Sequence, residues 1–421
     1  MRESPEPAGG TRVRRRTFLR GLAGAGASLF AASLACGTPT GGASRGGTTS
    51  PPREAASQPT VATTVVAGIE KPQLTIGFIP ITCATPIIMA HPLGFYRKYG
   101  LDVTVRKYGG WADIRDAFIA GEIDASHLLS PMPISLSLGL GSAKVPTRLA
   151  AIENINGQAI TLAAKYKDRV QAPADFKGMV LAVPFDYSVH NLLLRAYLAE
   201  GGLDPDRDVQ IRVMRPPDMV ANLAAGNIDG YLAPDPFNQR AVYEGVGYIH
   251  LLSKELWDSH PCCAFAVRAE FIERYPNTYR ALLHAIVDAT HYSSQLAHRE
   301  EVAVAIAARD YLNQPEEVVK AVLTGKYQDG RGRTLDDPRR IDFDPYPWKS
   351  FAVWMQVQFA RWGYLRPEHL GGLTYQQVAD QVFLTPDVRV AQAALGLPQP
   401  EGEYKVETIL GKPFDAQSVR T

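Results

Sequence analysis

The chain has 421 residues, with 44 Lys and Arg against 43 Asp and Glu for a formal charge of +1. Arginine is concentrated in the first 35 residues, so residues 36–421 carry −3, and no basic face for nucleic acid is implied. That length exceeds what one hydrophobic core serves, so two lobes are expected, and four cysteines are too few for a disulfide scaffold.

In chain order, the first element is a targeting segment. Arg14-Arg15-Arg16-Thr17-Phe18-Leu19-Arg20 precedes an uncharged run from Gly21 to Ala35. A twin-arginine pair ahead of an apolar run too short to span a bilayer resembles a Tat export signal. Cys36 then stands where a lipoprotein signal would be cut and the new amino terminus acylated; cleavage nearby without acylation is the alternative. Residues 37–70 are Gly-, Ser-, Thr- and Pro-rich and are expected to form a disordered tether.

Folded sequence is expected from Leu74-Thr75-Ile76-Gly77-Phe78-Ile79, an alternating strand. A turn over residues 80–85, a helix from Pro86 and a strand at Leu101-Asp102-Val103-Thr104-Val105 complete a βαβ unit. An internal echo follows: Ala117 to Ala125 and Ala221 to Gly230 each read as helix, Gly stop, then Ile-Asp leading into a strand. Each half therefore carries a similar α/β lobe. From Pro276, Tyr279, Leu282, Leu283, Ile286, Val287 and Thr290 recur at helical spacing. No Gly-rich phosphate loop, Gly-x-Ser-x-Gly elbow or His-Glu-x-x-His pair is present, and no enzymatic activity is expected.

Several phrases together are specific: GFYRKYGLDVTV (94–105), SHLLSPMPISLSLG (126–139), NINGQAITLA (154–163), PPDMVANLAAGNIDGYLAPDPFN (216–238), ELWDSHP (255–261) and the closing GKPFDAQSV (411–419). In order and spacing they resemble the solute-binding proteins of nitrate and bicarbonate ABC importers. The resemblance implies a two-lobed α/β fold of the periplasmic-binding type II class, with a hinge between the lobes and a helical C-terminal extension. The boundaries expected are a signal at 1–35, a tether at 36–70, lobe 1 at 71–165 and 263–421, and lobe 2 at 166–262. It further implies capture of a small anion, a nitrate- or nitrite-like oxyanion or bicarbonate, outside the cytoplasmic membrane or in the periplasm. Delivery would be to ABC permease and ATPase subunits, with the membrane reached through a lipid on Cys36. An organic sulfonate or another small solute is the alternative cargo.

Nitrate binders of this family surround the anion with Trp, Gln, His and Lys, and three of these match here as Trp111, Gln158 and His190. An indole N–H, an amide and a ring N–H replace the water that an anion loses. His127 is expected in a structural or cleft-rim role. The fourth place departs from the pattern, because Cys263 stands where the family carries Lys and a thiol brings neither charge nor a strong donor. Cys83 falls in the first strand-to-helix loop, which faces the cleft, and Asp235 occupies the family's acidic position in Pro234-Asp235-Pro236-Phe237. Three states of these cysteines stay open: inert buried thiols, a disulfide from Cys83 to Cys262 or Cys263, or a soft-metal site of Cys83, Cys263 and His190. No cofactor is firmly implied; a metal in the cleft would be calcium, as in the bicarbonate branch, which Cys263 suits poorly, or a soft transition ion. The Cys-Cys-x-Phe phrase also resembles the thiamine-pyrimidine synthases, the enzymatic alternative.

Overall fold

A computed structural model describes residues 66–420, which belong to one compact unit. The twin-arginine segment, Cys36 and most of the expected tether lie outside the described residues. Among the described residues no helix is long and apolar enough to cross a membrane.

Ten strands build the two lobes: β1 (Gln73–Phe78), β2 (Asp102–Lys107), β3 (Ala125–Leu129), β4 (Thr147–Asn156), β5 (Gln158–Ala163), β6 (Val180–Val183), β7 (Gln210–Val213), β8 (Gly230–Pro234), β9 (Gly247–Leu252) and β10 (Pro261–Arg268). The first sheet runs β4-β10-β3-β1-β2, with a short edge strand at Ile341–Asp342 beside β4, and the second runs β7-β6-β8-β5-β9. In each, three parallel strands meet one antiparallel strand returning from the other lobe. The Ile-Asp echo has a structural counterpart. Asp124 N–H donates to the Thr75 carbonyl and its carboxylate accepts from Thr75 N–H; Asp229 repeats both bonds with Val180.

Two crossovers join the lobes, one at Gly157 between β4 and β5, the other at residues 253–260 between β9 and β10. The expected boundaries therefore shift: Gln158–Ala163 belongs to the second sheet, and Pro261 and Cys262 to the first. The physical reason is a single turn inside one long buried run, where Asn156 and Gly157 take φ of 60° and 76°. A Cβ on Gly157 would lie 2.8 Å from Ile341 side-chain carbons, so this turn requires glycine. Asn156 N–H donates to the His260 carbonyl (2.9 Å), which binds both crossovers together, and Gly157 N–H donates to the Arg340 carbonyl (2.9 Å).

The helices that position the site are α1 (Thr85–Met89), α2 (Phe95–Lys98), α3 (Trp111–Ile119), α4 (Met132–Leu138), α5 (Val189–Glu200), α6 (Pro216–Ala224), α7 (Phe237–Tyr243), α8 (Ala269–Arg274) and α9 (Pro276–Ser294). The apolar face expected on α9 is buried: Tyr279, Leu282, Leu283, Ile286 and Val287 pack with Ile76 and Phe78 of β1. The C-terminal extension, expected on lobe 1, contacts both lobes. Trp354 meets Trp257 edge-on at 4.7 Å, and Asn191 of α5 donates to the Tyr364 hydroxyl (3.0 Å). Its apolar residues share a core with β4 and β6, since helix Lys349–Arg361 is apolar around most of its circumference.

Candidate functional site

The carboxyl ends of β1, β3, β6 and β8 and the amino ends of β5 and β10 meet between the two sheets, where open α/β sheets place ligands. Two contacts bridge the lobes there. Thr82, in the turn after β1, donates from its N–H and its hydroxyl to the Asp235 carbonyl at 2.9 Å each, and His190 Nε2 lies 4.0 Å from Cys262 Sγ.

Each expected donor is held by local structure. Trp111 is the first residue of α3, buried edge-on against His127 at 5.1 Å, and its Nε1 has no partner. Gln158 opens β5 immediately after the crossover. Its carbonyl accepts from Ser253 Oγ (2.9 Å), whose own oxygen accepts from His260 Nε2 (2.7 Å). Ser253 has one proton and spends it on Gln158, so His260 carries its proton on Nε2, and in the neutral ring the 3.2 Å approach of Nδ1 to the Pro261 carbonyl is not a hydrogen bond. Burial keeps His260 neutral, its pKa down to about 4. Both side-chain atoms of Gln158 are buried without a partner. His190 sits in the first turn of α5, fixed by Ser188 Oγ accepting from Asn191 N–H (3.0 Å), and its Nδ1 is likewise unpartnered.

Buried polar atoms without partners call for an explanation, and a ligand supplies one. The same region holds three more such groups that the sequence reading missed or placed at the rim. His127 accepts from Ile79 N–H at Nδ1 (3.3 Å), so its proton is on Nε2, which has no partner; burial pushes its pKa down to about 3. Ser130 Oγ, beside Cys262, is the second. Glu153 on β4 is the third, fully buried with both oxygens unpartnered, and burial pushes its carboxyl up so that it stays protonated.

Asp235 is placed differently from the expectation. Its carboxylate takes two bonds from Arg340, Nη2 to Oδ1 at 2.9 Å and Nε to Oδ2 at 3.1 Å, with both side chains fully buried. Arg340 also donates to Gln239 Oε1 (2.7 Å) and lies 4.1 Å over the Tyr327 ring. Asp235 thus locks the hinge side of the second lobe, and its charge is neutralised there.

The cysteines converge further than the sequence indicated. Cys83, Cys262 and Cys263 are all free and buried, with Cys262 Sγ 3.3 Å from Cys83 Sγ and 3.5 Å from Cys263 Sγ. Neighbours on a strand ordinarily point to opposite faces. Register shifts between β10 and β4 on both sides of Cys263 redirect its side chain, so both sulfurs join Cys83. Burial pushes the Cys83 and Cys263 thiols up. At Cys262 burial also opposes ionisation, but hydrogen bonds from Cys263 and Cys83 and the His190 ring outweigh it and pull the pKa down.

With this geometry in view, relatives decide the family. Residues 67–307 match the NMT1-like family. The chain belongs to that family. This NMT1-like chain is 32% identical over 414 residues to the nitrate/nitrite binding protein NrtA of Nostoc sp., covering 93% of the chain and 92% of the relative. It is 29% identical over 373 residues to the bicarbonate-binding protein CmpA of Synechococcus sp., covering 81% and 82%. The crystal structure of the periplasmic nitrate-binding protein NrtA from Synechocystis PCC 6803 superposes with a TM-score of 0.79 at 31% identity, covering 83% of this chain and 97% of that one. The fold is the α/β periplasmic-binding-protein fold expected from the sequence.

Proposed function

We propose that the chain is the extracytoplasmic solute-binding component of an ABC importer, capturing a small, singly charged oxyanion between its lobes and presenting it to a permease. The observation that carries this reading is the set of buried, unpartnered donors at Trp111, Gln158 and His190, contributed by both lobes. Such groups are costly when left unmade and reward a solute that pairs with them. The relatives named nitrate/nitrite- and bicarbonate-binding proteins support the ligand class, and those named nitrate and bicarbonate import ATP-binding proteins, one of which is 33% identical over 317 residues, support the importer partners. Export through the twin-arginine segment and a lipid on Cys36 complete the proposal. Anchored there, the protein would sit beside its permease.

The test is a thermal-shift and tryptophan-fluorescence panel of nitrate, nitrite, bicarbonate with and without calcium, and an aliphatic sulfonate. A true ligand at ~100 times its Kd adds about 2.7 kcal/mol of stability. Closure of the cleft also alters Trp111 emission. Silence from nitrate, nitrite and bicarbonate together would refute the reading, and a response to the sulfonate alone would reassign the cargo.

A further inference from the structure

The thiol cluster is left unused by the anion reading. The three Sγ atoms lie within 4.8 Å of one another, all fully buried, and find hydrogen-bond partners chiefly in each other. A fourth donor faces them from the other lobe, since His190 Nε2 is 4.0 Å from Cys262 Sγ. We propose that Cys83, Cys262, Cys263 and His190 form a binding site for one thiophilic divalent cation of the zinc type, with three sulfurs from the first lobe and one nitrogen from the second.

The geometry supports this class of ion. Tetrahedral zinc with bonds of about 2.3 Å to sulfur and 2.0–2.1 Å to nitrogen separates its sulfurs by about 3.8 Å and sulfur from nitrogen by about 3.6 Å. The separations of 3.3, 3.5 and 4.0 Å reach those values by shifts of a few tenths of an ångström. Calcium does not fit, because it takes six to eight oxygen ligands and the three side chains that converge here offer sulfur. The bulges around Cys263 are the second observation: without them Cys262 and Cys263 would face opposite sides of the sheet, and only two thiols would meet. Binding deprotonates the thiols and leaves Nδ1 of His190 as an N–H donor on the side away from the ion. Because the ligands come from both lobes, the ion also fastens the closed arrangement.

This inference does not rest on the anion reading, and its test contains no anion. The full chain, reduced and metal-free, is titrated with Co(II) and then with Zn(II). One equivalent of Co(II) is expected to produce a sulfur-to-cobalt charge-transfer band in the near ultraviolet with tetrahedral bands in the visible, and one equivalent of Zn(II) to abolish both. Cys262→Ser lowers the charge-transfer intensity by about a third or more, since one of three thiolates is lost, while His190→Ala keeps a thiolate band but weakens Co(II) binding at least tenfold. Circular dichroism confirms that each variant is folded, and the titration of the unaltered chain decides the matter should either variant fail. Absence of the charge-transfer band in the folded wild type would overturn the proposal. So would a band of undiminished intensity in Cys262→Ser, or a disulfide among the three cysteines in protein recovered without reductant.

Discussion

Replacing Arg340 by Met separates a structural role for Asp235 from a ligand-binding one. The guanidinium is fully buried and makes two bonds to an equally buried carboxylate, plus one to Gln239. Its removal strands a negative charge with no water to receive it. Breaking one partner of a buried pair costs about 3–5 kcal/mol. With an unfolding entropy of about 2.1 cal/mol/K per residue, the described residues 66–420 amount to roughly 0.75 kcal/mol/K, so the expected fall in melting temperature is about 4–7 °C. Adding Asp235→Asn removes the stranded charge and is expected to recover at least half of the loss. Scanning calorimetry of the two single variants and the pair reads this directly, alongside ligand affinity, which should stay within about threefold of wild type in every folded variant. A loss below about 1 kcal/mol in Arg340→Met would refute the argument. Equally damaging would be Asp235→Asn abolishing ligand binding at unchanged stability, because the carboxylate would then belong to the solute site.

Three further outcomes follow from other residues. Gln158→Met replaces two buried, unpartnered atoms by an apolar chain of similar length, so ligand-free stability is expected to be unchanged or raised by about 1–2 kcal/mol while affinity falls at least tenfold; a loss above 2 kcal/mol would show that Gln158 serves the fold. His250 bonds Tyr197 (3.0 Å) and burial, assisted by Arg331, holds its pKa down to about 4. The unfolded chain takes a proton near pH 6.5 that the native ring refuses, so this contribution is complete above pH 6.5 and is lost as pH falls toward 4, about 3 kcal/mol in all. His250→Gln should flatten that part of the stability profile, and an unchanged slope would refute the assignment. Gly157→Ala combines a φ of 76° with a contact at 2.8 Å to Ile341 and is expected to cost about 2–4 kcal/mol by denaturant unfolding; a cost under 0.5 kcal/mol would mean the crossover yields freely.

The two-lobed plan was legible because its cause is local and repeated. An Asp that closes the first strand of each lobe is carried in both halves by the same Ile-Asp phrase, and the α9 face is visible as a 3.6-residue period. The lobe boundary was not legible, since residues 147–163 form one buried run in which the turn at Gly157 changes sheet without changing composition. Trp111, Gln158 and His190 stand at the starts of α3, β5 and α5, where motif and element end coincide. Arg340 had no such marker. It lies 105 residues from Asp235, and only the fold brings them together. Cys262 was hidden for a different reason: strand alternation assigns adjacent cysteines to opposite faces, and the bulges that reverse this depend on pairing with β4.

These placements together determine the charge of the site. Asp235 is cancelled by Arg340, while Glu153, His127 and His260 are held neutral by burial. Trp111 and Gln158 have no charge to offer. With no ion at the cysteines, a solute therefore meets the neutral donors of Trp111 and Gln158 rather than a fixed cation, and Cys262, whose thiol is pulled down, is the group there that can carry a negative charge. The cost of stripping water from an ion grows steeply with its charge, and neutral donors repay only a bounded share of it. On the proposed reading, this environment favours a singly charged oxyanion over a doubly charged one of similar size. A lysine at Cys263 would have relaxed that discrimination by adding a full positive charge. On the same proposed reading, the thiol in its place adds no positive charge of its own, and selection falls to hydrogen-bond geometry from Trp111, Gln158 and His190.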